Sequence, residues 1–218
     1  SKEEIFQLSN KWFGPIERRD VIARNLPKEP TQTEPRRLEV GRDVPYDAIY
    51  KAFHMCNRNH PDFHTYDLMS DLLSNGRSAR LFQRLVKELG LFSDVNAFIT
   101  GDIDDGLFVI TGRLVKGTTF EQGEAAIDEE LGLLTSEPIS EYELEKVKNK
   151  FESNFTFGET SPLDKAMNLC FFELVSQAED INQEVVKYRS VSAQRVMEVA
   201  NELFRPENSS TLLIKAKN

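Results

Sequence analysis

The sequence predicts an α+β fold: a mainly antiparallel sheet of about five to six strands with helices packed on one face. Two observations predict it. Strand-like runs come in adjacent pairs separated by turn-rich segments, and helix-like stretches cluster between and after those pairs. The composition allows it: 218 residues with 39% hydrophobic, 29% charged, 11 Gly and 9 Pro is ordinary globular usage. The simplest organisation is a single domain over 1–218, with a leading helix over 1–14, a proline-rich connector over 15–35 and a core over 36–218.

The elements follow in order. Ile5, Leu8, Trp12 and Phe13 recur at helical spacing from Lys2 to Phe13, and Gly14-Pro15 ends that helix. Ile16 to Pro35 is polar and carries Pro27, Pro30 and Pro35, which predicts an irregular, extended connector. Residues 36–43 and 46–54 read as strands, the second with Tyr46, Ala48, Tyr50 and Ala52 alternating against Ile49 and Phe53. His60-Pro61-Asp62 starts a helix, with Pro at the first helical position, and Asn75-Gly76 breaks it. Ser78 is expected to cap a second helix carrying Leu81, Phe82, Leu85 and Val86 as far as Leu89-Gly90.

Phe92 to Thr100 and Leu107 to Val115 form the next strand pair, joined by the loop from Gly101 to Gly106. Thr119 with Gln122, and Ser140 with Glu143, have the spacing of capping boxes and open helices to about Thr135 and Phe157. Ser161-Pro162 opens a third helix through Leu174, a further helix spans about Ala193 to Phe204, and Ser210 to Lys217 alternates like a final strand.

Charge narrows the function classes. The net charge is −9 and the pI near 5.0, which argues against nucleic acid as the main partner. No apolar run reaches the roughly 18 residues of a membrane span. The start, Ser1-Lys2-Glu3-Glu4, has no basic region followed by an apolar one, so no signal peptide is read there. It also lacks an initiator Met, which fits a mature form or a piece of something longer, and periplasm and cytoplasm both stay open. Cys56 and Cys170 sit among apolar neighbours and read as buried free thiols rather than a disulfide.

The candidate chemistry is sparse. His54, Cys56, His60 and His64 could be read as a metal cluster, since zinc favours His and Cys at short spacings. Their placement on a strand, a helix cap and the first helical turn suits it poorly, and a capping His60 beside packed His54 and His64 is the plainer reading. The acidic loop of Asp102, Asp104 and Asp105 lacks the Glu that completes a calcium loop. No G-x-S-x-G or glycine-rich phosphate loop occurs. The Phe residues fall at core spacing. Of the two N-x-[ST] sequons, at Asn154 and Asn208, the first lies on an expected helix.

Several stretches together resemble the pitrilysin/insulinase-type zinc metallopeptidases, in particular the C-terminal, non-catalytic half of one of their two-domain units. Trp12-Phe13-Gly14-Pro15-Ile16 looks like that family's helix ending "YFGPIP", followed by a proline-rich connector, here Pro27-Lys28-Glu29-Pro30. Asn59-His60-Pro61-Asp62 is similar to the family's "NHPD" helix start, and Leu73 to Phe82 is similar to "LSGGRSSRLF". Val95 to Phe98 looks like the strand that follows, and Ser140 to Lys148 is similar to the "TEEELEKAK" helix.

The resemblance implies a partner and a cofactor outside this chain. Family members pair an N-terminal domain, whose H-x-x-E-H and downstream Glu bind zinc, with a similar but inactive C-terminal domain. Two such units, as a homo- or hetero-dimer, close into a chamber where an extended peptide substrate adds to a sheet edge. Zinc-bound water then attacks the peptide bond. This sequence holds no H-x-x-E-H in either direction, so it is expected to be non-catalytic, with no cofactor of its own and zinc held elsewhere in the parent protein. Asn75, Gly76 and Arg80 are expected to shape a loop facing the chamber, and Trp12 and Phe13 to anchor the leading helix. Many members also carry an Arg, and a Tyr seven residues later, that hold the substrate carbonyl. By alignment those positions are Val86 and Ser93 here, and neither side chain can do that work. Arg84 and Lys87 are expected to point elsewhere on the helix. A wholly non-enzymatic scaffold of the same family is the alternative.

Overall fold

The structure, a computed structural model, describes residues 1–20, 27, 29–101 and 103–217. It divides into two compact units, Ser1–Thr31 and Gln32–Asn218. The first holds helix α1, Lys2–Phe13, opened by a capping box between Ser1 and Glu4. The Gly14 N–H closes it on the Asn10 carbonyl at 3.1 Å. None of its residues is buried, and Ile5, Leu8, Trp12 and Phe13 are each more than half exposed. The described residues that follow, up to Thr31, form no helix or strand; 21–26 and Lys28 of the expected connector lie outside the described residues.

Among its described residues the second unit carries five strands, β1 Arg36–Arg42, β2 Ala48–Met55, β3 Phe92–Ile99, β4 Gly106–Leu114 and β5 Ser209–Ala216. They form one sheet in the order β1-β5-β2-β4-β3. Every pairing is antiparallel except β1 with β5. The sequence-adjacent strands β1 and β2 therefore do not pair. The last strand inserts between them, and Gln32 pins the entry to β1 by donating to the Ser209 carbonyl at 2.8 Å. Strand alternation then sorts the faces. Ile49, Phe53, Phe92, Phe108, Ile110 and Leu213 are buried under helices, while Ala48, Tyr50, Ala52 and Phe98 lie on the half-buried or exposed face.

The covering layer is α2 Phe63–Ser74, α3 Phe120–Ser136 and α7 Ala193–Leu203, with α4 Glu141–Gly158, α5 Pro162–Val175 and α6 Glu184–Ser190 stacked around α2 or beyond it. Hydrophobic burial drives this layer together: α7, for example, turns Val196, Val199, Ala200 and Leu203 inward at helical spacing. Gly123 allows α3 to approach the sheet. A Cβ there would stand 2.8 Å from Ile49 and Leu114 carbons and 3.1 Å from the Phe92 ring. The capping boxes at Thr119 and Ser140 form, and Ser161 caps α5.

The structure departs from the sequence expectation in several places. Helix α2 begins at Phe63, two residues after Pro61, because the His60 ring accepts the Asp62 N–H at 3.2 Å and holds a separate turn. The helix expected after Ser78 is π-helical over Phe82–Glu88, and Leu89 N–H donates five residues back to the Arg84 carbonyl at 2.9 Å. Ser78 does not cap it; its carbonyl and hydroxyl accept from Lys146 instead. The 3₁₀ turn Ala178–Gln183 and α6 have no counterpart among the expected elements. Cys170 is exposed and Cys56 half-buried, both as free thiols, so neither is the fully buried cysteine expected. Asn208 of the second sequon is buried and donates to the carbonyls of His54 and Leu203, which leaves its amide no room for a glycan.

Candidate functional site

The expected chamber loop lies where α2 ends. Gly76 has φ +100, a conformation only glycine adopts freely, and it turns the chain out of the helix. Asn75 donates to Asp71 at 2.5 Å, and the Lys150 ammonium of α4 donates to the Asn75 carbonyl at 3.2 Å and to its side chain. Arg80 then reaches Glu143 through two hydrogen bonds, 2.8 Å from Nε and 3.0 Å from Nη2. With Lys146 on Ser78, the whole junction is strapped to α4. The Glu143 carboxyl is held at about 2, chiefly by the Arg80 hydrogen bonds, with Ser140 adding to the effect.

Beside this strap lies a cleft of about 420 Å³ that includes Arg80, Gln83, Arg84, Glu88, Glu130 and Glu143. Glu130 is buried, and burial pushes its carboxyl up against the opposing charges of Arg80 and Arg84. Arg84 spends its guanidinium on Glu88 at 3.1 Å and Glu129 at 3.5 Å. Val86 packs against the core, and the Ser93 hydroxyl donates to the Arg113 carbonyl at 3.3 Å. Because the segment is π-helical, α-helical register does not decide where Arg84 and Lys87 point; for Arg84 the contacts do.

A larger cleft, about 710 Å³, opens at the head of α2. Its buried centre is Glu184 of α6, which accepts from Arg58 at 3.0 Å and lies 3.3 Å from His64 Nε2. Burial pushes the Glu184 carboxyl up, but the His64 hydrogen bond and the His64 and Arg58 charges outweigh it, and the net direction is down. The Arg58 guanidinium also lies 4.9 Å from the Phe63 ring, 5.2 Å from Phe171 and 5.8 Å from Phe172. Asp62 and Arg195 close the rim with hydrogen bonds of 2.8 and 2.6 Å. Sequence reasoning named His60 and His64 here but missed Arg58, Glu184 and Arg195. Arg58 and Glu184 stand 126 residues apart, and no local spacing could have joined them.

The expected metal candidates go separate ways. His64 is committed to Glu184, and His60 to the Asp62 turn. Cys56 is half-buried, and its thiol is pushed up to about 12, by burial first and by the Asp62 charge second. His54 lies on the opposite face of β2 from Met55 and Phe53. Among the described residues no group of three or more His, Cys, Asp or Glu could hold a metal ion. Asp102 lies outside the described residues, and Asp105 accepts from Asn57 at 3.4 Å. Among the described residues no helix is long and apolar enough to cross a membrane.

Residues 1–151 match the sequence profile of the peptidase M16 inactive domain. The chain belongs to that family. The chain is 23% identical over 209 residues to the zinc protease YmxG of Bacillus subtilis (strain 168), described as uncharacterized, covering 95% of this chain and 50% of that protein. A protease structure from Helicobacter pylori superposes with a TM-score of 0.91 at 23% identity, over 99% of this chain and 53% of that one. The peptidase M16 inactive domain from Pseudomonas fluorescens superposes with a TM-score of 0.83 at 15% identity, over 100% of this chain and 52% of that one. At these identities the structures show the shared fold. The M16 inactive domain described here spans about half the length of these relatives.

Proposed function

We propose that this domain is the non-catalytic half of a zinc-dependent endopeptidase acting on extended peptides, with the zinc ligands on a separate upstream domain. The observation that carries the reading is a conjunction: residues 1–151 match the M16 inactive domain, and the sequence contains no H-x-x-E-H in either direction. The domain assembles with the catalytic domain and forms part of the substrate chamber wall. Asn75, Gly76 and Arg80 shape a loop of that wall, which fits their strapping to α4: a wall must hold its form while peptide passes. Helix α1 docks on the catalytic domain through Trp12 and Phe13, which fits a helix with no buried residue.

A second reading is a scaffold subunit whose assembly cleaves nothing. One observation favours it: Val86 packs against the core and Ser93 bonds to the backbone, so neither is available to a substrate carbonyl. The two readings separate in the parent polypeptide. Under the first, deleting this region abolishes cleavage of an unstructured peptide while the upstream half still binds zinc, and adding the domain in trans restores part of it. An upstream half that binds no zinc points to the scaffold. An upstream half fully active by itself would remove the chamber-wall role.

A further inference from the structure

Helix α5 packs a single side chain inward and shows an apolar stripe on the opposite side. Phe172 turns inward and is its only buried residue. On the far side Leu163, Met167, Cys170 and Leu174 stand at i, i+4, i+7 and i+11, which is one stripe of an α-helix. All are exposed: Leu163 by 70%, Met167 by 63%, Leu174 by 73%, with Cys170 between them. The charged residues of the helix are Asp164, Lys165 and Glu173, and none interrupts the stripe. A contiguous exposed apolar stripe of this kind marks a face that a neighbour covers. Neither α3 nor α4 shows such a stripe: α3 sends Glu121 and Glu129 to solvent, with Leu133 alone among its exposed large apolar side chains, and α4 sends Glu141 and Asn149, with Tyr142 and Phe157 exposed far apart near its two ends.

Resting on the function proposed above, we infer that this stripe is the seat of the catalytic half of the parent polypeptide, which packs an apolar surface along α5. Two observations choose that occupant. The relatives extend over about twice the length this chain spans, so a domain of similar size is available to cover it. The area chooses it over a second copy of this chain. The three large side chains expose on the order of 400 Å², a patch large enough to require an explanation. It is only half of the roughly 800 Å² per partner that stable association of separate proteins buries. A tethered domain needs less, because linkage supplies an effective concentration of about millimolar.

Cys170 reports on the seat without any substitution. The full-length parent is alkylated with iodoacetamide at pH 8 and the modified cysteines are mapped by mass spectrometry, with the same protein unfolded in urea as the reference. Cys170 should react at least ten-fold more slowly in the native parent than in urea, at every protein concentration. A native rate equal to the urea rate overturns the seat. Protection that vanishes on dilution assigns the stripe to a second copy and overturns it too. The parent's zinc content, read on the same sample, tests the underlying function separately: a parent without zinc ends that reading, while Cys170 protection still decides the docking.

Discussion

Arg80 and Glu143 are joined by two hydrogen bonds across 63 residues of sequence, and Glu143 at the same time closes the capping box of α4 with Ser140. One carboxylate therefore fixes both the start of a helix and the junction that precedes the π-helical turn. Arg80→Ala removes the cation and leaves the cap. It should cost roughly 1–3 kcal/mol, the range for hydrogen bonds to charged groups. A urea titration checks this, and zinc binding by the parent should not change. An unaltered midpoint would mean the pair contributes nothing to the fold.

The same pair sets a pH dependence. The Glu143 carboxyl is lowered to about 2 in the folded chain, below its ordinary value of roughly 4.3 in an unfolded one. A depressed carboxylate stabilises fully above the unfolded value, and that contribution disappears as pH falls toward 2, for at most about 3 kcal/mol. Urea midpoints measured between pH 6 and pH 2.5 should therefore fall less steeply in Glu143→Gln than in the parent sequence. Parallel curves would contradict the assignment.

Glu184 is a buried anion facing a cation that three aromatic rings enclose. Truncating it removes the carboxylate that accepts from Arg58, and breaking a buried pair from one side typically costs about 3–5 kcal/mol. Glu184→Ala should show a loss of that size in thermal or urea unfolding, and Glu184→Gln a smaller one, since the amide oxygen still accepts. A loss below about 1 kcal/mol for the alanine variant would show that solvent replaces the carboxylate.

Two glycines of α3 give opposite signs. Gly123→Ala puts a methyl 2.8 Å from Ile49 and Leu114 carbons, and overpacking of this kind costs about 1–3 kcal/mol. Gly132→Ala meets nothing within 4 Å and should stabilise by up to about 1 kcal/mol through helix propensity. Equal effects at the two positions would mean that α3 does not sit on the sheet as described.

The two thiols should separate in rate. In the 218-residue chain Cys170 is exposed, while Cys56 is held up to about 12, so little thiolate forms at pH 8. Timed alkylation should modify Cys170 first and Cys56 at least ten-fold later. Equal rates would place Cys56 in a different environment.

What was legible in the sequence was local. Thr119 with Gln122 and Ser140 with Glu143 announce their helices because a cap is decided within four residues. The parity of Ile49 and Phe53 against Ala48 and Tyr50 sorts a strand by itself. The π-helical turn was not legible, since nothing in Phe82–Glu88 separates i+5 from i+4 pairing. Nor was the insertion of β5 between β1 and β2, a pairing made across most of the chain. His60 and His64 keep the spacing of ligands on one helix face, yet α2 begins between them and each finds its own partner. Cys170, on the exposed stripe of α5, reads as buried from its apolar neighbours because apolar surroundings in sequence carry no sign of what covers them.

The central claim is that this domain has no peptidase centre of its own. The most direct measurement is hydrolysis of an unstructured peptide by the purified 218-residue chain with added zinc, beside a chelator control. The predicted result is no cleavage above the chelated control and no stoichiometric zinc on the protein. Chelator-sensitive cleavage by this chain alone would contradict the claim, and His54, Cys56, His60 and His64 would then be the first residues to replace.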